Sequence, residues 1–181
     1  VFECNCLFTK GKFDQYRRDT PYLAWIQVFE HFIAQVLSSR DVNLHRWKNI
    51  LNEALGENGQ VLSALIPSLQ LVTGRAPSVE KLGGIEAQVR FNFLLEAFLV
   101  AICRPEHPLV IFLDDLQWAD PASQQILQLI VDNKNLKHLL LITSIRPPEE
   151  DHSGSIQLFG QGLNNNEVLY LKLADLNKQE V

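Results

Sequence analysis

Methionine is missing from all 181 residues. A chain without one cannot begin at its own start codon, so an excised or processed piece of a longer polypeptide is expected. Cysteine is scarce, at three residues. Cys4 and Cys6 stand at strand spacing on one face and cannot easily bridge each other, and Cys103 is remote. That leaves neither a metal quartet nor a disulfide framework, and it fits the reduced thiols of a cytoplasmic protein. No apolar run reaches membrane-spanning length: Phe91 to Cys103 is interrupted by Asn92 and Glu96. No signal-peptide pattern and no internal repeat is read in these residues. Positive charge is thin as well. The net charge is −5, and the densest basic groups are Arg17-Arg18 and Lys10 with Lys12, which leaves no footprint for nucleic-acid binding.

What is present is ordinary globular material, 46% hydrophobic and 20% charged, of a length that suits one domain over residues 1–181. Its most informative run is Leu109-Val110-Ile111-Phe112-Leu113-Asp114-Asp115-Leu116-Gln117-Trp118-Ala119-Asp120. Five consecutive apolar residues read as a strand buried on both faces, as in parallel α/β sheets. Two aspartates follow where that strand should end. Ligands in open α/β sheets bind outside the carboxyl ends of the strands. A hydrophobic strand ending in adjacent acids therefore has the pattern of a Walker B element, the metal-and-water half of a phosphate-handling site.

The pattern predicts a first strand over residues 1–9, with Phe2, Cys4 and Cys6 on one face, turned by Lys10-Gly11-Lys12. Asp19-Thr20-Pro21 reads as a helix start, followed by Leu23, Ile26, Phe29, Ile33, Val36 and Leu37 at helical spacing. Leu44 to Leu55 predicts a second helix ended by Gly56, and Gln60 to Ile66 a short third one stopped by Pro67. Val72 to Gly84 reads as a loop. A long, nearly all-apolar helix from about Ile85 to Ile102 should pack on the sheet. Asp120-Pro121 caps a helix through Ile126, Leu127, Leu129 and Ile130. Leu139 to Thr143 is a second buried strand, and Glu167 to Leu173 a last one. Strands alternating with helices argue for a three-layer α/β domain with a largely parallel sheet.

Adjacent strand residues point to opposite faces, so Asp114 and Asp115 would not chelate one ion together in regular β geometry. At a strand end they could divide the labour, one holding Mg²⁺ through water and the other orienting the attacking water. The plain alternative is two solvated aspartates opening a turn. Arg146, just beyond the second buried strand, could reach a γ-phosphate or be an exposed loop arginine. Lys12 and Asp14 could lie near the same sheet end or be merely solvated. Trp118 reads as a packing residue, Asp120 as a helix cap, and Arg90 as a snorkelling side chain. His31, His45, His107, His138 and His152 show no ligand spacing.

The chain resembles the P-loop ATPase domain of the STAND/AAA-like (AAA ATPase, Orc1-like) class. Closer still is the ATPase module of multisensor signal-transduction serine/threonine and histidine kinases. The matching segments are Gly11-Lys12-Phe13-Asp14-Gln15, Pro21-Tyr22, Leu55-Gly56 with Asn58-Gly59-Gln60, Glu86-Ala87-Gln88 with Arg90-Phe91-Asn92, Glu106-His107-Pro108-Leu109, and Phe112 to Asp120. They run collinearly from about Lys10 to Arg146. The resemblance implies ATP and Mg²⁺ as cofactors, with Asp114 as the magnesium aspartate (through water), Asp115 as the catalytic acid and Arg146 as the arginine reading the γ-phosphate. It also implies a switch set by ATP against ADP, with adjacent kinase and sensor domains of the same polypeptide as partners. No nucleic-acid partner and no membrane span are expected.

One departure stands out. No Gly-x-x-x-x-Gly-Lys-Ser/Thr occurs among the 181 residues; Gly11-Lys12 is followed by Phe13. That loop's backbone amides and lysine bind the phosphates. The expectation is thus a partial domain lacking its first strand and P-loop, with little or no ATPase activity alone. The family's strand order, 5-1-4-3-2, would place the missing strand in the middle, leaving apolar edges and a poorly soluble or partly molten chain. A non-catalytic scaffold of the same fold is the alternative function. A phosphoacceptor receiver is set aside, because receivers carry their acid pair on the first strand.

Overall fold

The computed structural model describes residues 6–17, 20–75, 83–146 and 169–173. Three strands, β1 (Leu7–Lys12), β2 (Leu109–Asp114) and β3 (Leu139–Thr143), lie side by side in chain order and all parallel. Five helices flank them: α1 (Leu23–Leu37), α2 (Asp41–Leu55), α3 (Leu69–Thr73), α4 (Gly84–Ile102) and α5 (Pro121–Asp132). This is the P-loop NTPase-like α/β fold expected, and the adjacency of the three strands agrees with the 4-3-2 block of the implied order.

The first strand differs from expectation. Lys10-Gly11-Lys12 does not turn the chain but continues β1 in register with β2, Lys10 opposite Phe112, Gly11 opposite Leu113 and Lys12 opposite Asp114. Glycine is there for space: a Cβ at position 11 would run into the Ala24 carbonyl of α1, which crosses the strand at backbone distance. Phe2 and Cys4 lie outside the described residues.

Partners in a parallel ladder share a face. On one face Thr9, Gly11, Leu109, Ile111 and Leu113 are buried and packed in one core with α1, α2, α4 and α5. Its centre is aromatic. Trp25 stacks on Phe29 at 5.8 Å, and Phe98 meets Phe29 and Phe32 edge-on at 5.5 and 6.0 Å. Trp25 also donates its indole N–H to the Ser123 carbonyl at 3.1 Å, tying α1 to α5. The other face carries Phe8, Val110, Phe112, Leu140 and Ile142, with Leu140 56% exposed. The expectation that β2 is buried on both faces is therefore met only on one among the described residues, where Val110 and Phe112 are half-buried.

Helix boundaries follow the caps. Gly56 takes a left-handed φ of 54° at the end of α2. Asp120 caps α5, accepting from Ser123 N at 2.9 Å, with Pro121 in the first turn. α1 begins two residues later than expected, after Tyr22 at φ 64° with no side-chain cap; Asp19 lies outside the described residues. The predicted third helix is instead a 3-10 helix over Gly56–Leu62, followed by α3 after Pro67. The carboxylate of Glu30 on α1 accepts from both Ser68 N (2.9 Å) and Ser68 Oγ (2.6 Å), so the helix starts past the proline. α4 packs on α2, the 3-10 helix and α5, and its buried residues share one core with the sheet. Only its second half is buried, while Ile85, Val89 and Phe93 are exposed. Leu169–Leu173, predicted as part of a strand, carry no strand and are exposed; Glu167 and Val168 lie outside the described residues. Among the described residues no helix is long and apolar enough to cross a membrane.

Candidate functional site

β2 ends at Asp114, and the next residue breaks the pleat. Asp115 lies in the left-handed region at φ 56°, ψ 45°, a conformation that aspartate tolerates better than most residues. Two hydrogen bonds hold it there. Its N–H is shared between Asp114 Oδ1 and Ser144 Oγ, both at 3.0 Å. Leu116 N then donates to the Ser144 carbonyl at 3.0 Å, and Leu116–Trp118 coil into a 3-10 turn. The consequence overturns the strand-geometry expectation. The two carboxylates converge instead of facing apart.

They converge on Lys12. Its Nζ is 2.8 Å from Asp114 Oδ2 and 2.7 Å from Asp115 Oδ2. Parallel register places Lys12 beside Asp114 at the carboxyl end of the sheet. Gln27 on α1 fixes the strand tip by accepting from Lys12 N at 2.9 Å. The remaining oxygens are committed to protein. Asp114 Oδ1 also accepts from Ser144 Oγ. Asp115 Oδ1 accepts from Gln117 Nε2 at 3.0 Å and lies 3.4 Å from Arg146 Nε. Gln117 in turn accepts from Arg146 N at 3.2 Å. The Asp115 side chain is 10% exposed, against 60% for Lys12 and 81% for Arg146. Anchored acids thus face two exposed cations.

The Lys12 ammonium holds both carboxyls below the usual aspartate range, helped at Asp114 by the Ser144 hydroxyl and opposed at both by burial. The carboxylates raise the Lys12 ammonium in return. All three groups are therefore charged at neutral pH. The donor set fits a hard divalent cation: two ionised carboxylate oxygens already accommodate a single point charge between them.

All three expected site residues, Asp114, Asp115 and Arg146, meet at this sheet end. Lys12 joins them; Asp14 does not, because it closes a turn by accepting from Tyr16 N at 2.9 Å. Asp120 is spent on its cap, its second oxygen taking Ser123 Oγ at 2.6 Å, and Trp118 packs against the core, as expected. Arg90 bridges α4 to Asn58. Burial pushes the Cys103 thiol up to about 12, so it is inert. Among the described residues no cluster of three or more His, Cys, Asp or Glu side chains could hold a metal. Ser144 and Gln117 were missed. The usable signal for Ser144 was its place one step beyond Thr143, the β3 partner of Leu113, hence beside Asp114.

The chain is 36% identical over 126 residues to Hybrid signal transduction histidine kinase G of Dictyostelium discoideum. The matched stretch takes in 70% of this chain but only 4% of that protein, so the chain spans a small part of its relative's length. No solved structure matches. The profile of the AAA ATPase domain family matches residues 4–142, which include β1 with Lys12, the acid pair and most of β3. With that match added to the parallel sheet and the acids at its carboxyl end, this chain belongs to the AAA ATPase domain family.

Proposed function

We propose that this chain is the acid-pair and sensor portion of an ATP-dependent switch within a multidomain signal-transduction protein. The observation that carries the reading is the convergence of Asp114, Asp115 and Arg146 at one sheet end, all oriented by neighbouring side chains. Asp114 would hold magnesium, its carboxylate aimed by the Ser144 hydroxyl on its other oxygen. Magnesium, when bound, neutralises phosphate charge. Asp115 orients and deprotonates the attacking water. Its left-handed backbone turns the carboxylate out of the pleat toward the Asp114 carboxylate and Lys12. Arg146 is mobile enough to leave Asp115 for a γ-phosphate and to return when that phosphate is gone. The difference in its partners between ATP and ADP is the differential contact a switch requires.

Cytoplasmic placement and covalent neighbours of kinase and sensor type belong to the same proposal, supported by the kinase relative. Because no phosphate-binding loop occurs in these 181 residues, magnesium-dependent ATP turnover by this chain alone is expected at background. In a polypeptide carrying such a loop ahead of this segment, Asp115→Asn should lower ATP hydrolysis by about 100-fold or more, the usual contribution of a general base, with ATP binding retained. Hydrolysis unchanged in Asp115→Asn would overturn the assignment.

A further inference from the structure

We propose that Lys12 is a built-in counter-cation of the acid pair, competing with a divalent metal ion for the same carboxylate oxygens and setting how much metal is needed to enter. The inference rests on the reading of Asp114 as the metal-holding residue.

Each carboxylate has one oxygen committed to the protein and one offered outward. Asp114 Oδ1 is held by Ser144 Oγ and by Asp115 N; Asp115 Oδ1 is held by Gln117 and approached by Arg146. The outward oxygens are both Oδ2, and Lys12 Nζ contacts both, at 2.8 and 2.7 Å. A second cation entering between these acids meets the ammonium. The two occupants exclude each other by charge and by contact.

The asymmetry of the pair shows which partner can yield. The acids are anchored by hydrogen bonds and Asp115 is nearly buried, whereas the Lys12 side chain is 60% exposed at the end of a flexible stem. Its backbone is pinned by the β-ladder and by Gln27, so it would swing out and back without moving the strand. While in place it offsets the repulsion between two carboxylates that the left-handed turn forces together.

Competition has a sign that a structural ion pair lacks, because removing the lysine should tighten metal binding. The test titrates Mn²⁺ alone into the 181-residue chain, free Mn²⁺ being read by electron paramagnetic resonance. Lys12→Met should bind on the order of tenfold more tightly than the unsubstituted chain, which is the scale of one unit charge about 3 Å away under water-like screening. Lys12→Arg, which keeps the charge, should stay near the unsubstituted value. Added Mn²⁺ should also raise the melting temperature of Lys12→Met more than that of the unsubstituted chain. If Lys12→Met does not fold, Lys12→Gln serves in its place. Equal or weaker Mn²⁺ binding by the neutral variant, with Asp114→Asn abolishing it, would overturn the competition and leave the metal role of Asp114 standing. Tightening by Lys12→Arg as large as by Lys12→Met would overturn it too. Mn²⁺ binding by none of the variants would overturn both readings.

Discussion

An ammonium shared between two neighbouring carboxylates draws protons off the acids and keeps one on the amine. In this chain the shared group is Lys12, and its links to Asp114 and Asp115 make folding stability depend on pH. The carboxyls titrate lower in the folded state than in the unfolded chain. Their contribution is therefore present above the unfolded aspartate value of about 4 and is lost as pH falls through the depressed values. Lys12 titrates higher when folded, so its contribution is present below the ordinary lysine range and is lost as pH rises past its raised value. Lys12 is exposed, so solvent screening keeps the effect small. Lys12→Met should flatten the acid limb, visible as a smaller fall in the urea midpoint between pH 6 and pH 3 than in the unsubstituted chain. An unchanged slope would mean that the pair is not maintained in solution. The acids were legible because an apolar run with two aspartates behind it is a rare pattern. Lys12 was left open because Lys10-Gly11-Lys12 has the composition of a turn, and only the ladder partner reveals that it is a strand.

Gly11 shows the same point for a whole element. β1 and α1 approach so closely that the glycine's missing side chain is the space between them. Gly11→Ala should cost about 2–3 kcal/mol, the range for forcing atoms into a packed site, because the obstacle is a backbone carbonyl that cannot rotate away. Urea unfolding would check this, and a loss below about 0.5 kcal/mol would mean that α1 can lift off the strand. Elements with strong periodicity or chemical caps were readable at this scale: α1 from its apolar residues at helical spacing, α2 from Gly56, α5 from Asp120-Pro121, β2 and β3 from apolar runs. The chain does break at Pro67, but α3 beyond it was not foreseen, since the contact that starts it comes from Glu30, 38 residues earlier in the chain. The long apolar α4 was read as buried throughout, yet only its second half is, sharing the core of the sheet and of α2 and α5. Apolarity alone did not mark where the helix leaves the core, since Ile85, Val89 and Phe93 are exposed.

At the scale of the molecule, the core formed by the described residues is one-sided. The helices share a continuous core with one face of the sheet, while Phe8, Leu140 and Ile142 leave an apolar strip on the other. Exposed contiguous apolar surface beside an open strand edge favours association. The chain is expected to self-associate as concentration rises in sedimentation or light scattering. Ile142→Lys should weaken that association while changing unfolding stability by no more than about 0.5 kcal/mol, as for most surface substitutions. A monomer at every concentration would refute this.

The left-handed turn at Asp115 has a consequence for which acids could serve there. Glutamate carries the same charge, but it lacks aspartate's short reach back to its own backbone and sits less easily at positive φ. Its extra methylene would also push the carboxylate past the Gln117 amide that now donates to it. Handedness of the main chain, more than acidity, thus governs what can occupy this position, and the two acidic amino acids are not interchangeable at it.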